Sequence, residues 1–325
     1  MHQLRVLLLQ DCYAGSVTGL IDLLHFANQI AAYKNRPQPF AWRLFSLDGQ
    51  AVTTASGIVL TPNGDLSLAE EADTLVLPPI SYHRLSDFEA RLMAEETAGA
   101  LAKRLHRAGR RVMSFCTGVP LLAEHGLLDG REATVSWWLH HWFRQRYPQV
   151  QLHDYATCSE ADGVWCGGAT TSYIDLALRL IRQEAGVQLA TSCARLMLTD
   201  LNRVSQAPYM SMRNFAGHDD ELVLRCQDWL QRQLDQPYRL EALAVSVGAS
   251  ERTVMRRFQQ VLGQPPLRYL QQLRLQAARH LLETSTLPLD EIVSRVGYAD
   301  LASFRRLFQR ELHCTPAEYR RRFAS

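Results

Sequence analysis

The sequence predicts two domains of different fold class: an N-terminal α/β domain with a parallel sheet sandwiched by helices, and a C-terminal all-α domain containing two helix-turn-helix units. Up to about residue 200, short apolar runs alternate with segments of helical periodicity. From about residue 220 to the end, only helical periodicity remains. A chain of 325 residues is long for one core and suits two.

The elements of the first domain follow from the apolar pattern. Strands are predicted at 5–9, 41–47, 53–60, 74–78 and 111–115, with 53–60 in a hairpin or at an edge. Helices are predicted at 17–32, 87–108, 117–125, 137–146, 171–185 and 187–201. The glycine-rich stretch 163–168 is interpreted as a hairpin, since no phosphate-loop lysine follows it. Ligands of such sheets bind beyond the carboxyl ends of the strands.

The C-terminal domain contains one pattern twice, at 240–263 and 289–312. In each copy a short helix is followed by a turn with a glycine, Gly248 or Gly297, and then by a second helix anchored by Phe258 or Phe308. That second helix can lie in a DNA major groove. A helix that begins at Pro265-Pro266 and continues through Leu281 joins the two units. It would span roughly 25 Å, which could hold the units about one DNA turn apart.

The charge distribution points to the same partner. Residues 250–325 contain 13 arginines and 7 acidic residues, a net charge of +6, whereas the whole chain carries only +2. Arginine suits bidentate contact with phosphate and guanine, so double-stranded DNA is the predicted partner. The alternative is a solvated basic face without a partner. Residues 204–219 lack periodicity and are interpreted as a linker between domains at 1–203 and 220–325.

The DNA-contacting face is predicted to lie opposite the apolar stripe of each second helix. Val254, Phe258 and Leu262 form the stripe of the first, with Ser250 as the N-cap. Arg257 and Arg310 are assigned either to phosphates or to ion pairs on the helix surface. The residues predicted to approach bases or phosphates are Arg252, Thr253, Met255, Arg256, Leu301, Ala302, Arg305 and Arg306.

The last hundred residues resemble the AraC/XylS family of transcription regulators. The most specific part of the resemblance is Thr315–Arg320, which follows the second unit. The resemblance implies a sequence-specific transcription activator that works with RNA polymerase. It also implies an N-terminal domain that senses a small nitrogenous or amino-acid-like effector and forms a homodimer.

A strand that ends in Cys116 is followed by Thr117, Gly118 and a helix. A nucleophile elbow has this arrangement, and a helix N-terminus lowers the pKa of a thiol. With the segment 121–134, this corner resembles the PfpI-like branch of the class I glutamine amidotransferase superfamily over residues 4–200. The resemblance implies a flavodoxin-like fold. Its fusion to an AraC-type domain is the architecture of GlxA-like regulators.

Two departures from that superfamily argue against catalysis. Ser136 stands where its enzymes have a histidine, and Ser16 stands where relatives have an acidic residue. A cysteine needs a base or a cation to act as a nucleophile. We therefore expect no enzyme activity and no catalytic residue. The expected function is an effector pocket, lined by Cys116, Thr117, Gly118, Ser136, Trp137 and Ser16.

Several alternatives stay open on sequence alone. The chain could be a cysteine-dependent amidase or peptidase that also binds DNA, with His125, His140 or His141 as the base. Cys116 could instead be inert or redox-sensitive, and the regulator could act without a ligand. The tryptophans at 137, 138, 142 and 165 could form a cage for a cation, although core packing is favoured.

The cysteines and the apolar segments limit what else the chain could be. Seven cysteines are scattered without the spacing of a zinc site, so neither a metal nor another cofactor is expected. The sequence has no apolar run long enough for a membrane span, and the N-terminal apolar stretch is too short for a signal peptide. We expect a protein of the reducing cytoplasm.

Overall fold

The computed structural model describes residues 1–153, 156–199, 206 and 220–323. The chain divides into two compact units, Met1–Gln206 and Ala207–Ser325. The predicted linker, 204–219, lies outside the described residues except for Gln206. The domain limits expected from the sequence therefore remain a prediction.

A six-stranded sheet forms the centre of the first unit. Its strand order is β2-β1-β5-β6-β10-β9, and every neighbouring pair is parallel except β9 with β10. This order, with β1 between β2 and β5, confirms the flavodoxin-like α/β fold. The strands are β1 (His2–Leu7), β2 (Phe40–Phe45), β3 (Val52–Thr53), β4 (Val59–Leu60), β5 (Thr74–Leu77), β6 (Arg111–Phe115), β7 (Glu132–Ala133), β8 (Gln151–Leu152), β9 (Cys158–Ala161) and β10 (Val164–Gly167).

The predicted strand at 53–60 is wrong as one element. The segment holds two short strands, β3 and β4, which pair with each other in a hairpin outside the main sheet. The turn between them contains Gly57, whose φ of +80° is unfavourable for other residues. The stretch 163–168 does form a hairpin, since β9 and β10 pair antiparallel on either side of Gly163.

Helices pack against this sheet over a large apolar core that includes the fully buried strand β5. The helices are α1 (Ala14–Tyr33), α2 (Leu85–Ala94), α3 (Glu96–Arg107), α4 (Val119–Glu124), α5 (His140–Arg146), α6 (Ser172–Ala185) and α7 (Val187–Leu196). One-turn 3₁₀ helices precede α4 and α5, at Cys116–Gly118 and Trp137–Leu139. They replace the first turns of the helices that were predicted at 117–125 and 137–146.

The single helix predicted at 87–108 is wrong, because the chain breaks at Glu95 into α2 and α3. Glu95 has a ψ of 39°, outside the helical range. Phe88 and Leu92 are the buried residues of α2, whereas those of α3 begin at Ala98. Six residues on one straight helix rotate the chain by about 600°, so Ala98 would point roughly 120° away from Leu92. The break lets both apolar stripes face the core.

The second unit is wholly helical in its described part and contains both helix-turn-helix units. Its helices are α8 (Glu221–Arg232), α9 (Leu240–Ser246), α10 (Glu251–Leu262), α11 (Pro266–Thr284), α12 (Leu289–Arg295), α13 (Leu301–Leu312) and α14 (Pro316–Phe323). The first helix-turn-helix comprises α9 and α10, and the second comprises α12 and α13. Helix α11 joins them; its 19 residues correspond to roughly 28 Å.

Both turns depend on a glycine in the left-handed region: Gly248 has a φ of +68° and Gly297 a φ of +79°. At Gly297 a Cβ atom would also lie 2.8 Å from the Leu234 carbonyl oxygen, so no larger residue fits without displacement. The buried Arg274 of α11 lies beside this turn. Its Nε donates to the Leu234 carbonyl (2.8 Å), and its Nη2 donates to the Gln236 carbonyl (2.6 Å). Helix α11 therefore holds the loop after α8 against the second turn.

Within the described residues, no helix has the length and apolar character needed to cross a bilayer. The same residues contain no group of three or more His, Cys, Asp or Glu side chains arranged to hold a metal ion. All seven cysteines have free thiols.

Candidate effector site and nucleic-acid interface

Cys116 lies at the carboxyl end of β6 in a strained backbone conformation. Its φ of +55° is in the left-handed region, which non-glycine residues rarely adopt. Gly118 allows the turn that follows to approach β5 closely. A Cβ atom on Gly118 would lie 2.5 Å from the Ser114 hydroxyl and 2.8 Å from the Pro78 carbonyl oxygen. The backbone has the sharp strand-to-helix turn of a nucleophile elbow.

The thiol of Cys116 is fully buried and contacts two hydroxyls. The Ser136 hydroxyl donates to Sγ at 3.1 Å, and Thr170 Oγ1 lies 3.3 Å from Sγ. Burial raises the pKa of the Cys116 thiol; hydrogen bonds from Ser136, Thr170 and Thr117 lower it but do not offset the burial. The prediction that the helix N-terminus lowers the pKa of the Cys116 thiol is therefore wrong. At neutral pH Cys116 is a thiol, which is a weak nucleophile.

Of the other residues predicted for the pocket, Thr117, Gly118, Ser136 and Ser16 are also buried, whereas Trp137 is half-buried. The Thr117 hydroxyl donates to the Ile80 carbonyl (2.7 Å), and Ser136 is inaccessible to solvent. Ser16 lies in the first turn of α1, where its hydroxyl donates to the Tyr13 carbonyl (2.7 Å). The structure thus brings Cys116 and Ser136 into direct contact, whereas the hydrogen bond of Ser16 is made within its own helix turn.

Two of the three histidines considered as replacement bases, His125 and His140, have other contacts. His140 is buried, and its Nε2 lies 3.0 Å from the Val135 carbonyl oxygen. His125 lies against Gly99 of α3, so closely that a Cβ there would be 2.0 Å from the imidazole. Ser136 therefore occupies the position beside the thiol that a base would need.

Half-buried aromatic side chains lie next to this corner. Tyr82 follows β5, stacks on Phe88 at 4.6 Å and accepts a hydrogen bond from Trp138. Burial raises the pKa of the Tyr82 hydroxyl, with smaller contributions from Cys116 and Tyr13, which lie close enough to interact with it. Trp137 contacts Trp138 edge to face at 5.5 Å. These rings are partly exposed, unlike the thiol.

The four tryptophans therefore do not form one cage. Trp165 is buried in the sheet beneath Arg111, whose guanidinium carbon is 4.4 Å from the ring centre. Trp142 packs on Phe88 and donates to Glu89 at 2.6 Å. Only Trp137 and Trp138 lie beside Ser136. Sequence reasoning missed Tyr82 and Thr170; both follow parallel strands at their carboxyl ends, which was the available signal.

The first recognition helix, α10, presents the expected residues to solvent. Val254 and Phe258 are fully buried, whereas Arg252, Met255 and Arg256 are exposed. Thr253 is half-buried, and its hydroxyl lies 2.9 Å from that of Ser250, which caps the helix. The Thr253 hydroxyl is thus part of the cap. Leu262 is only partly buried, so two of the three residues of the predicted apolar stripe, Val254 and Phe258, are fully buried.

In the second recognition helix, α13, the outward face has the same character. Phe304 and Phe308 are fully buried, and Asp300 caps the helix through the amides of Ala302 and Ser303. Ala302, Arg305 and Arg306 are exposed, and Leu301 is half-buried. The Arg306 guanidinium donates to the Ser303 hydroxyl at 2.9 Å. Among the described residues, Arg252, Arg256 and Arg305 make no ion pair.

Two further arginines pair within the protein. Arg257 forms an ion pair with Asp220, the N-cap of α8, and Arg310 pairs with Glu311 at 2.8 Å. These contacts favour surface ion pairs over phosphate contacts for both residues.

Two family profiles match separate parts of the chain. The profile described as the DJ-1/PfpI family matches residues 35–183, and the one described as a helix-turn-helix domain matches residues 243–322. The first lies within the α/β unit and ends before α7. The second begins within α9 and covers the rest of both helix-turn-helix units and most of α14.

The proteins similar to this chain include three transcription regulators. The chain is 26% identical over 316 residues to the HTH-type transcriptional regulator GbdR of Pseudomonas aeruginosa, covering 97% of this chain and 83% of that relative. It is 28% identical to the RCS-specific HTH-type transcriptional activator RclR of Escherichia coli, covering 84% of this chain and 83% of the relative. It is 27% identical to the HTH-type transcriptional regulator GlxA of Rhizobium meliloti, covering 69% of each.

Solved structures show the fold of the first unit. An AraC family transcriptional regulator from Pseudomonas putida matches with a TM-score of 0.50 and 20% identity, over 61% of this chain and all of that chain. The DJ-1β protein of Drosophila melanogaster matches with a TM-score of 0.50 and 18% identity, over 61% of this chain and 98% of that chain.

Proposed function

We propose that a small metabolite bound beside Cys116 controls this chain. The chain is a DNA-binding transcription regulator that joins a DJ-1/PfpI domain to an AraC-type helix-turn-helix domain. One observation carries the proposal. The backbone at Cys116 is held in a strained conformation, yet its side chain is a neutral thiol in contact with hydroxyls. A site that keeps this geometry without a base is suited to binding rather than catalysis.

The chemistry around the corner indicates the kind of effector. Strands β1, β5, β6 and β10 are parallel, so the segments after them meet at one edge of the sheet. The segments after β5, β6 and β10 carry Tyr82, Cys116 and Thr170, and the segment after β7, a strand outside this sheet, adds Ser136 and Trp137. The hydroxyls of Ser136 and Thr170 both contact Cys116 Sγ. Hydroxyls bind amino and carboxyl groups, and aromatic faces bind apolar or cationic groups. We propose a small nitrogenous or amino-acid-like effector.

The absence of catalysis is part of the proposal. A thiol whose pKa is raised by burial supplies little thiolate at neutral pH, and the group beside it is the hydroxyl of Ser136. The DJ-1/PfpI fold also occurs in enzymes, so fold alone does not exclude hydrolysis. The relatives named above are regulators, which supports binding as the role of this corner.

The exposed faces of α10 and α13 are proposed to contact the two successive major grooves of one DNA site. Their exposed arginines, Arg252, Arg256, Arg305 and Arg306, can reach bases or phosphates. A homodimer that activates transcription with RNA polymerase completes the proposal. Its location is proposed to be the cytoplasm, where these partners occur.

The test is ligand-dependent thermal shift of the full chain against a panel of amino acids, betaines and small amines. Binding should raise the melting temperature, because a ligand that binds only the folded state stabilises it. Thr117→Trp should abolish the shift by filling the corner, whereas Arg195→Trp on α7, at an exposed helix position, should not. A compound that stabilises both variants as it stabilises the original protein would place the effector site elsewhere.

A further inference from the structure

Gln206, the last residue of the first unit, is anchored beside the candidate effector site. Its side chain is 3% exposed although it belongs to the segment that leads to the second unit. The amide nitrogen Nε2 lies 3.1 Å from the Val135 carbonyl oxygen, 3.3 Å from the Thr134 hydroxyl and 3.3 Å from the Ala156 carbonyl oxygen. A buried amide held by three oxygens is a specific attachment.

The surface beneath Gln206 fits its side chain closely. A Cβ atom on Gly168 would lie only 2.7 Å from Gln206 Nε2, so a residue larger than glycine would displace the amide. Gly168 also donates its backbone N–H to the Thr157 carbonyl at 2.8 Å, which fixes the loop after β10 at this place. The site is therefore shaped by backbone on one side and by the segment 134–135 on the other.

One peptide group connects this attachment to the thiol corner. The carbonyl of Val135, which accepts from Gln206, belongs to the peptide bond that joins Val135 to Ser136. The Ser136 hydroxyl donates to Cys116 Sγ at 3.1 Å. His140 Nε2 lies 3.0 Å from the same carbonyl oxygen and steadies it. A rotation of this peptide that moves Ser136 away from Cys116 must also redirect the carbonyl away from Gln206.

We propose that Gln206 is a latch that reports occupancy of the Cys116 corner to the segment leading into the DNA-binding unit. A ligand that pushes the backbone of Ser136 away from Cys116 turns the 135–136 peptide, removes an acceptor from the buried amide and releases Gln206. The inference rests on the proposed function, because the effector is the natural cause of that displacement. Binding of the ligand can drive the release of Gln206 only because the ligand makes different contacts in the latched and in the released form.

The first experiment measures release directly in the full chain. Arg203 and Arg213 are the arginines nearest to Gln206 on either side, so trypsin cleavage there follows the freedom of this segment. Gln206→Ala and Gly168→Ala should each accelerate cleavage at these two sites at least threefold. Gln188→Ala, which removes an exposed glutamine of α7, should leave the rate unchanged. Unchanged cleavage in both latch variants would overturn the proposal.

The second experiment tests the coupling, with an introduced side chain as the probe. Ser136→Trp adds bulk at the thiol corner, and Ser136→Ala removes only the hydroxyl that contacts Cys116. Either should accelerate cleavage when Gln206 is present and add little in the Gln206→Ala background, because coupled groups are not additive. Multiplying effects would show two independent sites and refute the latch. Circular dichroism spectra and melting temperatures identify any variant that fails to fold, and the milder Ser136→Ala then decides.

The two proposals can fail separately. A metabolite that shifts the melting temperature without altering cleavage at Arg203 and Arg213 would support the effector site and refute the latch. Coupled cleavage without any metabolite binding in the thermal-shift panel would leave the latch intact and count against the effector class. A reporter assay adds a functional readout, in which Gln206→Ala and Gly168→Ala should change effector-free transcription in the same direction by severalfold.

Discussion

Replacing Arg274 with methionine should destabilise the DNA-binding unit and weaken DNA binding with it. Arg274 is 7% exposed, and its guanidinium donates to the carbonyls of Leu234 and Gln236. It also lies over the ring of Tyr298, 5.4 Å from the ring centre. Methionine keeps the apolar stem but removes all three interactions. The loop after α8 and the turn of the second helix-turn-helix would then lose their common attachment.

The magnitude follows from these contacts. Hydrogen bonds from a charged donor contribute about 1.5–3 kcal/mol each, and the stacked ring adds roughly 0.5–1 kcal/mol. The pKa of Arg274 is lowered by burial, so part of this gain is offset by the cost of burying the cation. A net loss of about 2–4 kcal/mol is expected. For a unit of roughly 100 residues, that corresponds to a decrease of roughly 10–20 °C in melting temperature.

The assay is differential scanning calorimetry of the full chain, together with gel-shift titration on a DNA site selected in vitro. Arg268→Met is the matched control, because Arg268 is an exposed residue of the same helix. Its effect on the free energy of unfolding should stay within about 0.5 kcal/mol. An equal loss in both variants, or no loss in Arg274→Met, would refute the assignment of Arg274 as the attachment between the loop after α8 and the turn of the second helix-turn-helix.

Three other predictions concern the DNA surface, the thiol and pH. Arg256→Ala or Arg306→Ala should weaken binding to the selected site by about 1–3 kcal/mol if the contact is to a base; unchanged affinity and sequence preference in both would refute the recognition face. Amidase, peptidase and glyoxalase assays should show no turnover that Cys116→Ala abolishes, and a Cys116-dependent turnover would contradict the binding role. Iodoacetamide should label Cys116 slowly near pH 7, since burial raises the pKa of the thiol. Hydrogen bonds from Ser303 lower the pKa of Asp300. The stability that this cap contributes is therefore fully present above the pKa of Asp300 in the unfolded chain, and it is lost as the pH falls through the lower pKa of the folded state. Asp300→Asn should flatten this loss of stability in urea titrations at acid pH, and an unchanged profile would argue against the capping role.

Local sequence determined the elements whose residues interact over short distances. Gly248 and Gly297 mark the two turns because only glycine adopts their backbone freely, and Phe258 and Phe308 mark the buried faces because helical periodicity places them there. The strand before Cys116 and the glycine after it predicted the sharp turn in the same way. The two family resemblances rested on these local signals, and the profile matches and the relatives' names support both of them.

The tertiary structure alone decided the environment of each site. The thiol pKa depends on burial and on Thr170, which lies 54 residues away in sequence, so the sequence-based expectation had the wrong sign. Arg257 pairs with Asp220 across 37 residues, which no pattern within α10 indicates. Gln206 is polar and lies in an aperiodic segment, so nothing local predicted that it would be buried. Burial and long-range hydrogen bonds arise when distant segments pack together, and a sequence pattern specifies only which face of each segment does so.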